Sequence, residues 1–296
     1  MSFTLPSFAK LNLDLCVIGK RSDGYHELFT VFQTVSLCDS ISFELSESIE
    51  LTCSDHTIPT DKRNLILKAA NILRDRFAVS GGAAIHLEKR IPAPGGLGGG
   101  SSNAAVALIG LKRLWGLDIS FDEMIEIAKT LGSDVPFFLC GGTAMGFGRG
   151  TKIEPTGDIS EGNLIIVTPD VHVSTADAFK ELNPPYLTSE DSESILVNCR
   201  FNAESLDLQH SALKNDFEPT VFSSHPQIAL VKETLLELGA VNALMSGSGA
   251  SVFAVFDKEE TRQTAMKALD EQVNWRKFAV ATISRDKYRE ALELVN

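Results

Sequence analysis

Pro92-Ala93-Pro94-Gly95-Gly96-Leu97-Gly98-Gly99-Gly100-Ser101-Ser102-Asn103-Ala104-Ala105 is the stretch on which the reading of this chain turns. It follows a run with strand character, Ala84-Ile85-His86-Leu87-Glu88-Lys89, and opens onto a run of helical period. A strand, a glycine loop and a helix start, in that order, form a common cradle for phosphate. Glycine lets the backbone approach an anion closely, and the orphan N–H groups of a helix N-terminus donate to it without any side chain. The lysine of G-x-x-x-x-G-K-[ST] is absent, so the loop is not a Walker A loop, nor does it read G-x-G-x-x-G in a βαβ setting. The plain alternative is a flexible linker. Linkers rarely stand between a strand and a capped helix, so phosphate binding is the better reading.

Downstream of the loop, Ala104, Ala107, Leu108, Leu111 and Trp115 form the buried stripe of a helix, for which Ser101 or Ser102 is the expected cap. Ser120 with Glu123 makes a capping box for a second helix carrying Met124, Ile127, Ala128 and Leu131, with Gly132 suited to its C′ position. Ser133-Asp134-Val135-Pro136-Phe137-Phe138 comes next. Proline favours a first helical turn, so Asp134 is expected at or just before a short helix start, where capping and chemistry are compatible. The glycine-rich Gly141 to Gly157 reads as strands with tight turns.

Upstream, Phe8 to Val17 alternates, with Leu11, Leu13, Leu15 and Val17 on one face and Lys10, Asn12, Asp14 and Cys16 on the other, the period of a strand. Taken alone, the second face reads as an ordinary solvated one. A loop from Gly19 to Glu27 carries Tyr25-His26, a pair that by itself favours packing over recognition. Leu28 to Leu37 and Ile41 to Leu45 read as strands with Cys38-Asp39-Ser40 turning between them, Ile49 to Cys53 as another, and Asn64 to Phe77 as a helix.

The second half restarts with a strand at Asn163 to Thr168. Helices are expected around Thr175 to Leu182 and Ala203 to Leu213, separated by a polar loop over Asn183 to Glu193. Pro226 to Leu238 reads as a helix closed by Gly239, Ala250 to Phe256 as a strand, Glu259 to Leu269 as a helix and Phe278 to Ile283 as a last strand. Met245-Ser246-Gly247-Ser248-Gly249 is a small-residue turn that is a weak signal alone, but a partner for the first loop across a cleft. Strands and helices intermix without regular βαβ spacing, which predicts an α+β fold in two domains, 1–157 and 158–296.

The 296 residues carry 27 Lys and Arg against 39 Asp and Glu, a net charge of −12. That excludes electrostatic binding of nucleic acid and means that any bound polyanion needs positive potential concentrated locally. The five scattered cysteines form no C-x-x-C pair, the six histidines have no metal-ligand spacing, and there is neither a signal h-region nor an apolar run long enough to cross a bilayer. The expectation is a cytoplasmic protein without membrane or nucleic-acid partners, its oligomeric state left open.

Three segments together, Lys10-Leu11-Asn12-Leu13, the Pro92 to Ala105 loop and Ser246-Gly247-Ser248-Gly249, resemble the three motifs of the galactokinase, homoserine, mevalonate and phosphomevalonate (GHMP) kinase superfamily. Gly24-Tyr25-His26-Glu27-Leu28, Leu131 to Phe137 and Asn215-Asp216-Phe217-Glu218-Pro219 resemble one branch of it, which belongs to the non-mevalonate isoprenoid route. The resemblance covers nearly the whole chain. It implies an N-terminal domain like ribosomal protein S5 domain 2, a C-terminal ferredoxin-like domain and an active site between them. It implies transfer of the ATP γ-phosphoryl group to the 2-hydroxyl of a methylerythritol unit linked to cytidine diphosphate, a small-molecule substrate. Carried over residue by residue, Asp134 is the catalytic carboxylate and Lys10 its cationic partner. Pro92, Ala93, Pro94, Gly95, Gly96, Leu97, Gly98, Gly99, Gly100, Ser101 and Ser102 hold ATP, with Asn64 near the adenine. Asn12, Tyr25, His26 and Thr175 face the cytidine-bearing substrate. Pro94 departs from the glycine or alanine of the superfamily loop and lacks an N–H, and Ala250 replaces the proline expected after Ser-Gly-Ser-Gly. Mg²⁺ is implied, but no acidic residue is assigned to it, which leaves phosphate oxygens, water and Ser101 or Ser102.

Phosphoryl transfer asks mainly for positioning and for neutralising charge. A tertiary hydroxyl is a crowded, weakly acidic nucleophile, so a carboxylate placed to take its proton is useful, and an ammonium beside it steadies charge on the phosphoryl oxygens. Two other readings remain: a homoserine or mevalonate kinase, against which Gly24-Tyr25-His26 speaks, and a non-catalytic binding protein on the same fold, against which Lys10 and Asp134 speak.

Overall fold

The computed structural model describes residues 2–182 and 189–294. Its first sheet is built on two long antiparallel strands, β1 (Ser2–Lys20) and β2 (His26–Ser46). The expected turn at Cys38-Asp39-Ser40 is not there. The strand runs through, and the ladder slips instead at Ser36–Leu37, where Phe8 faces Cys38 but Ala9 faces Val35. Such a bulge bends a strand, and here it divides β2 into halves with different neighbours. Residues 40–46 pair with β4 (Gly82–Glu88), residues 28–33 with β5 (Thr143–Gly148).

β3 (Ile49–Cys53) lies parallel to β4, and β6 (Lys152–Pro155) closes the other edge beside β5. Four helices belong to this half: α1 (Leu65–Arg76), α2 (Gly99–Leu114), α3 (Phe121–Leu131) and the single turn α4 (Phe137–Cys140). The Ser120 half of the expected box is present, its hydroxyl accepting from the Glu123 N–H at 3.2 Å, while the Glu123 carboxylate pairs with Arg76 at 2.6 Å. α2 begins at Gly99 with Gly98 as its cap, so neither Ser101 nor Ser102 caps it. A side-chain cap would fill the space in front of the helix start; a left-handed glycine leaves it open.

The second half carries β7 (Leu164–Pro169), α5 (Thr175–Leu182), α6 (Ser189–Glu204), α7 (Glu218–Ser224), α8 (Pro226–Glu237), β8 (Asn242–Met245), β9 (Val252–Val255), α9 (Glu259–Ala268) and β10 (Trp275–Val280). Its four strands stand in the order β10-β7-β9-β8, all pairs antiparallel. Numbered along the chain, that order is 4-1-3-2 with helices in both crossovers, the ferredoxin-like arrangement. The α+β class and its two-domain organisation hold. Of the polar loop expected over 183–193, residues 183–188 lie outside the described residues, and α6 begins at Ser189. The helix expected at 203–213 is irregular after Glu204. Asp207 accepts from the Gln209 N–H at 2.8 Å and Ser211 Oγ from the Asp207 N–H at 2.9 Å, side-chain bonds that compete with a helix. α10 (Arg285–Ala291) returns to the first sheet, where Tyr288 is fully buried beside Phe8 and donates to the Phe138 carbonyl.

The face of β1 that bears Lys10 and Asn12 is not solvated. Lys10 is 3% and Asn12 2% exposed, because the glycine loop and the second domain cover them. α2 is buried along nearly its whole length and crosses the sheet closely at Gly110, where a Cβ would stand 2.5 Å from the Phe43 ring. Gly110→Ala is therefore expected to destabilise the protein by about 1–3 kcal/mol through overpacking, outweighing a helix-propensity gain of about 1 kcal/mol. Denaturant unfolding of the variant measures the balance, and a gain in stability would show that the helix has room to move.

Candidate active site

Four backbone segments converge on one carbonyl. The Gly96 oxygen accepts from Lys10 Nζ at 2.9 Å and from Ser246 Oγ at 3.0 Å, and the neighbouring Leu97 carbonyl accepts from the Lys10 N–H at 3.0 Å. Strand β1, the glycine loop and the Ser246–Gly249 turn of the second domain meet there. Asp134, on the turn before α4, is the fourth, its Oδ2 3.6 Å from Lys10 Nζ. Lys10 also donates to Asn12 Oδ1, and Asn12 Nδ2 donates to Thr30 Oγ1 at 2.8 Å, which holds the amide in one orientation. Burial pushes the Lys10 ammonium below the ordinary lysine pKa, and the charge of Asp134 opposes that shift.

Asp134 does not cap α4. The cap position is Pro136, without a side-chain bond, so the carboxylate is left to face Lys10 across the cleft with its side chain about one-third exposed. Gly98 explains how the loop comes so near. At φ +69° it reverses into α2, and a Cβ on it would lie 2.8 Å from the Phe138 ring and 3.0 Å from Lys10 Cγ. Glycine is the residue that fits both the left-handed backbone and that gap.

The cleft between the domains has a volume of about 810 Å³. Lys10, Asn12, Tyr25, His26, Gly96, Gly98, Asp134 and Thr175, all singled out from sequence, line it together. The rest of the loop is arranged around it. Pro92 and Leu97 are buried, Ala93 and Pro94 sit on the exposed outer edge, and Gly95 accepts from the Ser251 N–H at 3.1 Å. Gly99 packs on Ile91 and Lys89, while Gly100 is exposed with open space where its Cβ would stand. The Ser101 hydroxyl lies 3.8 Å from a Cβ built on Gly132, and the buried Ser102 hydroxyl accepts from Ser7 Oγ at 2.8 Å. Asn64 does not line the cleft. It is the N-cap of α1, its Oδ1 accepting from the Ile66 N–H and its Nδ2 donating to the Pro59 carbonyl.

At the far end, His26 stacks on Phe179 with centroids 4.8 Å apart and planes at 14°, and Phe217 meets Phe179 edge-on. Tyr25 is 55% exposed, and the Arg149 guanidinium lies 4.4 Å over its ring. Burial first, and the Lys20 charge second, hold His26 below the usual imidazole pKa, which favours the neutral ring. Thr175 Oγ1 and Ser248 Oγ lie 2.8 Å apart, joining α5 to the small-residue turn. Among the described residues, Lys10, Lys20, Arg149 and Lys180 line the cleft together with the carboxylate of Asp134. Positive potential is thus concentrated locally in a chain of net charge −12.

Sequence reasoning missed Phe179, Arg149, Ser246 and Asn215 as individuals. Phe179 was within reach, since it lies one helical turn beyond Thr175 on the same face. Asn215 donates to the Met245 and Gly247 carbonyls at 2.6 and 2.8 Å, a role decided by a fold-back that local pattern does not encode.

Gly96 couples the two domains most tightly. Its φ is +72°, and a Cβ would fall 2.0 Å from the Ser246 carbonyl oxygen. Gly96→Ala is expected to cost about 1–3 kcal/mol of stability by forcing the loop and turn apart. Thermal unfolding checks it, and an unchanged midpoint would mean that the contact is dispensable.

The chain matches the GHMP kinases N terminal domain over residues 64–142 and the GHMP kinases C terminal domain over residues 199–274. It is 38% identical over 288 residues to the 4-diphosphocytidyl-2-C-methyl-D-erythritol kinase of Solibacter usitatus, covering 96% of this chain and 90% of that one. It is 39% identical over 271 residues to the enzyme of the same name from Chlorobium limicola, covering 91% and 93%. A crystal structure of 4-(cytidine 5'-diphospho)-2C-methyl-D-erythritol kinase superposes with a TM-score of 0.76 at 32% identity, over 95% of this chain and 99% of that one. The homoserine kinase of Cytophaga hutchinsonii, at a TM-score of 0.71 and 20% identity over 96% and 95%, shares the fold. Among the described residues no helix is long and apolar enough to cross a membrane. The chain belongs to the 4-diphosphocytidyl-2-C-methyl-D-erythritol kinase family of the GHMP kinases.

Proposed function

We propose that the cleft transfers the γ-phosphoryl group of ATP to the 2-hydroxyl of 4-diphosphocytidyl-2-C-methyl-D-erythritol, with Lys10 and Asp134 at the reacting centre. The protein is a small-molecule kinase of isoprenoid precursor synthesis. The observation that carries the assignment of roles is the meeting of the Lys10 ammonium, the Asp134 carboxylate and the glycine loop around the Gly96 carbonyl. The open start of α2 suits the phosphates of ATP, its free N–H groups and helix dipole favouring negative charge. The hydroxyl proton passes to Asp134 as the oxygen–phosphorus bond forms and the bond to the β-phosphate oxygen breaks. Lys10 balances the charge gathering on the phosphoryl oxygens.

The donor set also bears on Mg²⁺. Among the described residues no group of three or more His, Cys, Asp or Glu side chains could hold a metal ion. Asp134 is the carboxylate nearest Lys10, and the hydroxyl of Ser101 belongs to the loop itself; such a sparse set fits an ion that keeps water and phosphate oxygens as its main ligands. Bound there, Mg²⁺ would neutralise phosphate charge. The domains are taken as 1–157 and 158–296, with α10 folding back on the first. Five free thiols support a reducing cytoplasmic setting.

Asp134→Asn keeps the shape of the side chain and removes the proton acceptor and its charge. Turnover is expected to fall by about a hundredfold or more, with ATP affinity little changed. Near-normal turnover in the folded variant, measured in a coupled assay, would reduce Asp134 to a structural partner of Lys10.

The substrate reading rests on the aromatic end of the cleft. A pyrimidine presents a flat face and a hydrogen-bonding edge, and stacking on an aromatic ring is worth roughly 1–3 kcal/mol. Tyr25→Ala and His26→Ala are each expected to raise KM for the cytidylated alcohol about tenfold while KM for ATP stays nearly fixed. Steady-state kinetics with both substrates varied tests this, alongside homoserine, mevalonate and the uncytidylated methylerythritol phosphate. Equal acceptance of any of these would return the protein to the broader kinase reading.

A further inference from the structure

Asp39 stands in the middle of β2, fully buried, and takes no part in the reaction described above. Its Oδ1 accepts from the backbone N–H groups of Arg90 at 2.7 Å and Ile91 at 2.8 Å. Lys89 Nζ reaches both oxygens, at 3.1 and 2.9 Å, and also donates to the Ile91 carbonyl. The Oδ2 accepts in addition from Asn103 Nδ2 at 2.9 Å, and the same Asn103 amide donates to Ser7 Oγ at 2.8 Å. Residues 89–91 lead into the glycine loop and Asn103 lies at the start of the second turn of the helix that leaves it. One carboxylate therefore ties together the two shoulders between which Pro92 to Ser102 is strung. The Lys89 ammonium lies directly under the helix start, 3.2 Å from where a Cβ on Gly99 would stand.

Holding a strand in a sheet requires none of this. The backbone of Asp39 lies in register with Ser7 in the ladder, and a buried ion pair is weak evidence of stability, since apolar groups of similar volume often serve as well or better. What the network supplies is geometry. Two N–H groups, an ammonium and a side-chain amide from separate segments converge on one group with directional bonds, and apolar packing does not specify directions in that way.

We propose that Asp39 is a positioning residue for nucleotide binding: it fixes the end of β4 relative to the N-terminus of α2, so that the loop's amide groups already converge before ATP arrives. The proposal rests on the reading of Pro92 to Ser102 as the ATP loop. Asp39 touches neither substrate and acts through Lys89, Ile91 and Asn103. Its loss leaves Lys89 with an unpaired buried charge beneath the helix start, and two N–H groups without an acceptor.

The test is ATP titration by calorimetry, with steady-state kinetics for both substrates, on the wild type, Asp39→Asn and Asn103→Ala. The expected result is a roughly tenfold loss of ATP affinity in Asp39→Asn and a few-fold loss in Asn103→Ala, with KM for the cytidylated alcohol within about twofold of wild type. A merely structural role would lower the unfolding midpoint and leave this split between substrates absent. Unchanged ATP affinity in the folded variants, or an equal loss for both substrates, overturns the proposal. If Asp39→Asn does not fold, Asn103→Ala, which removes only the helix-side arm, decides on the same criterion. Failure of the wild type itself to bind ATP would instead refute the nucleotide reading of the loop, and the proposal with it.

Discussion

The Lys10 ammonium is the constraint around which the two domains are assembled. A charge this deeply buried carries a desolvation cost of several kcal/mol unless partners surround it, and each of its partners comes from a different part of the chain. Asn12 shares its strand, Gly96 belongs to the glycine loop, and Asp134 sits on the turn before α4. The Gly96 carbonyl that accepts from Lys10 also accepts from Ser246 of the second domain. Satisfying one cation thus sets the loop, the carboxylate and the facing turn in register. The arrangement that makes the cation tolerable in the interior is also the one on which the proposed phosphoryl transfer draws.

Close backbone approach is the second requirement, and it falls on two glycines. Gly98 turns the chain through the left-handed region so that α2 opens without a side-chain cap, and Gly96 lets the loop lie against the Ser246 carbonyl. A side chain on Gly98 would strike the Phe138 ring and the Lys10 stem, and one on Gly96 would strike the Ser246 carbonyl of the second domain. Behind the loop, the Asp39 carboxylate collects donors from both of its ends, so the flexibility that glycine brings is confined to residues held at their shoulders. In front of it, Lys20, Arg149 and Lys180 line the same cleft.

Much of the site was legible in the residues. The run from Pro92 to Ala105 reads as a phosphate loop because its glycines come between a strand and a helical period, and that strand, loop and helix order is present. The Ser120 cap and the helix at Thr175 are likewise local, settled by hydrogen bonds within a few residues. The α+β class followed from element spacing, and the GHMP resemblance from short motifs whose residue types are set by their chemistry.

Other features were decided by residues far away in sequence. The polar face of β1 read as solvated because alternation records that one face is apolar and cannot record what covers the other; here a loop and a second domain do so. Cys38-Asp39-Ser40 read as a turn because small and acidic residues often make one, yet the strand continues there in register with Ser7, and the Asp39 carboxylate is matched by Lys89, Arg90, Ile91 and Asn103 at separations of 50 to 64 residues. Asp134 read as compatible with a cap and, through the resemblance, as a partner of Lys10; the structure has the Lys10 contact and not the cap. Sequence alone determined the chemistry-bearing residues and the local frames that hold them, because capping, periodicity and glycine geometry act over a few bonds. Only the tertiary structure decided which polar groups would be buried together, because the cost of burying a charge is met by partners that chain order leaves far apart.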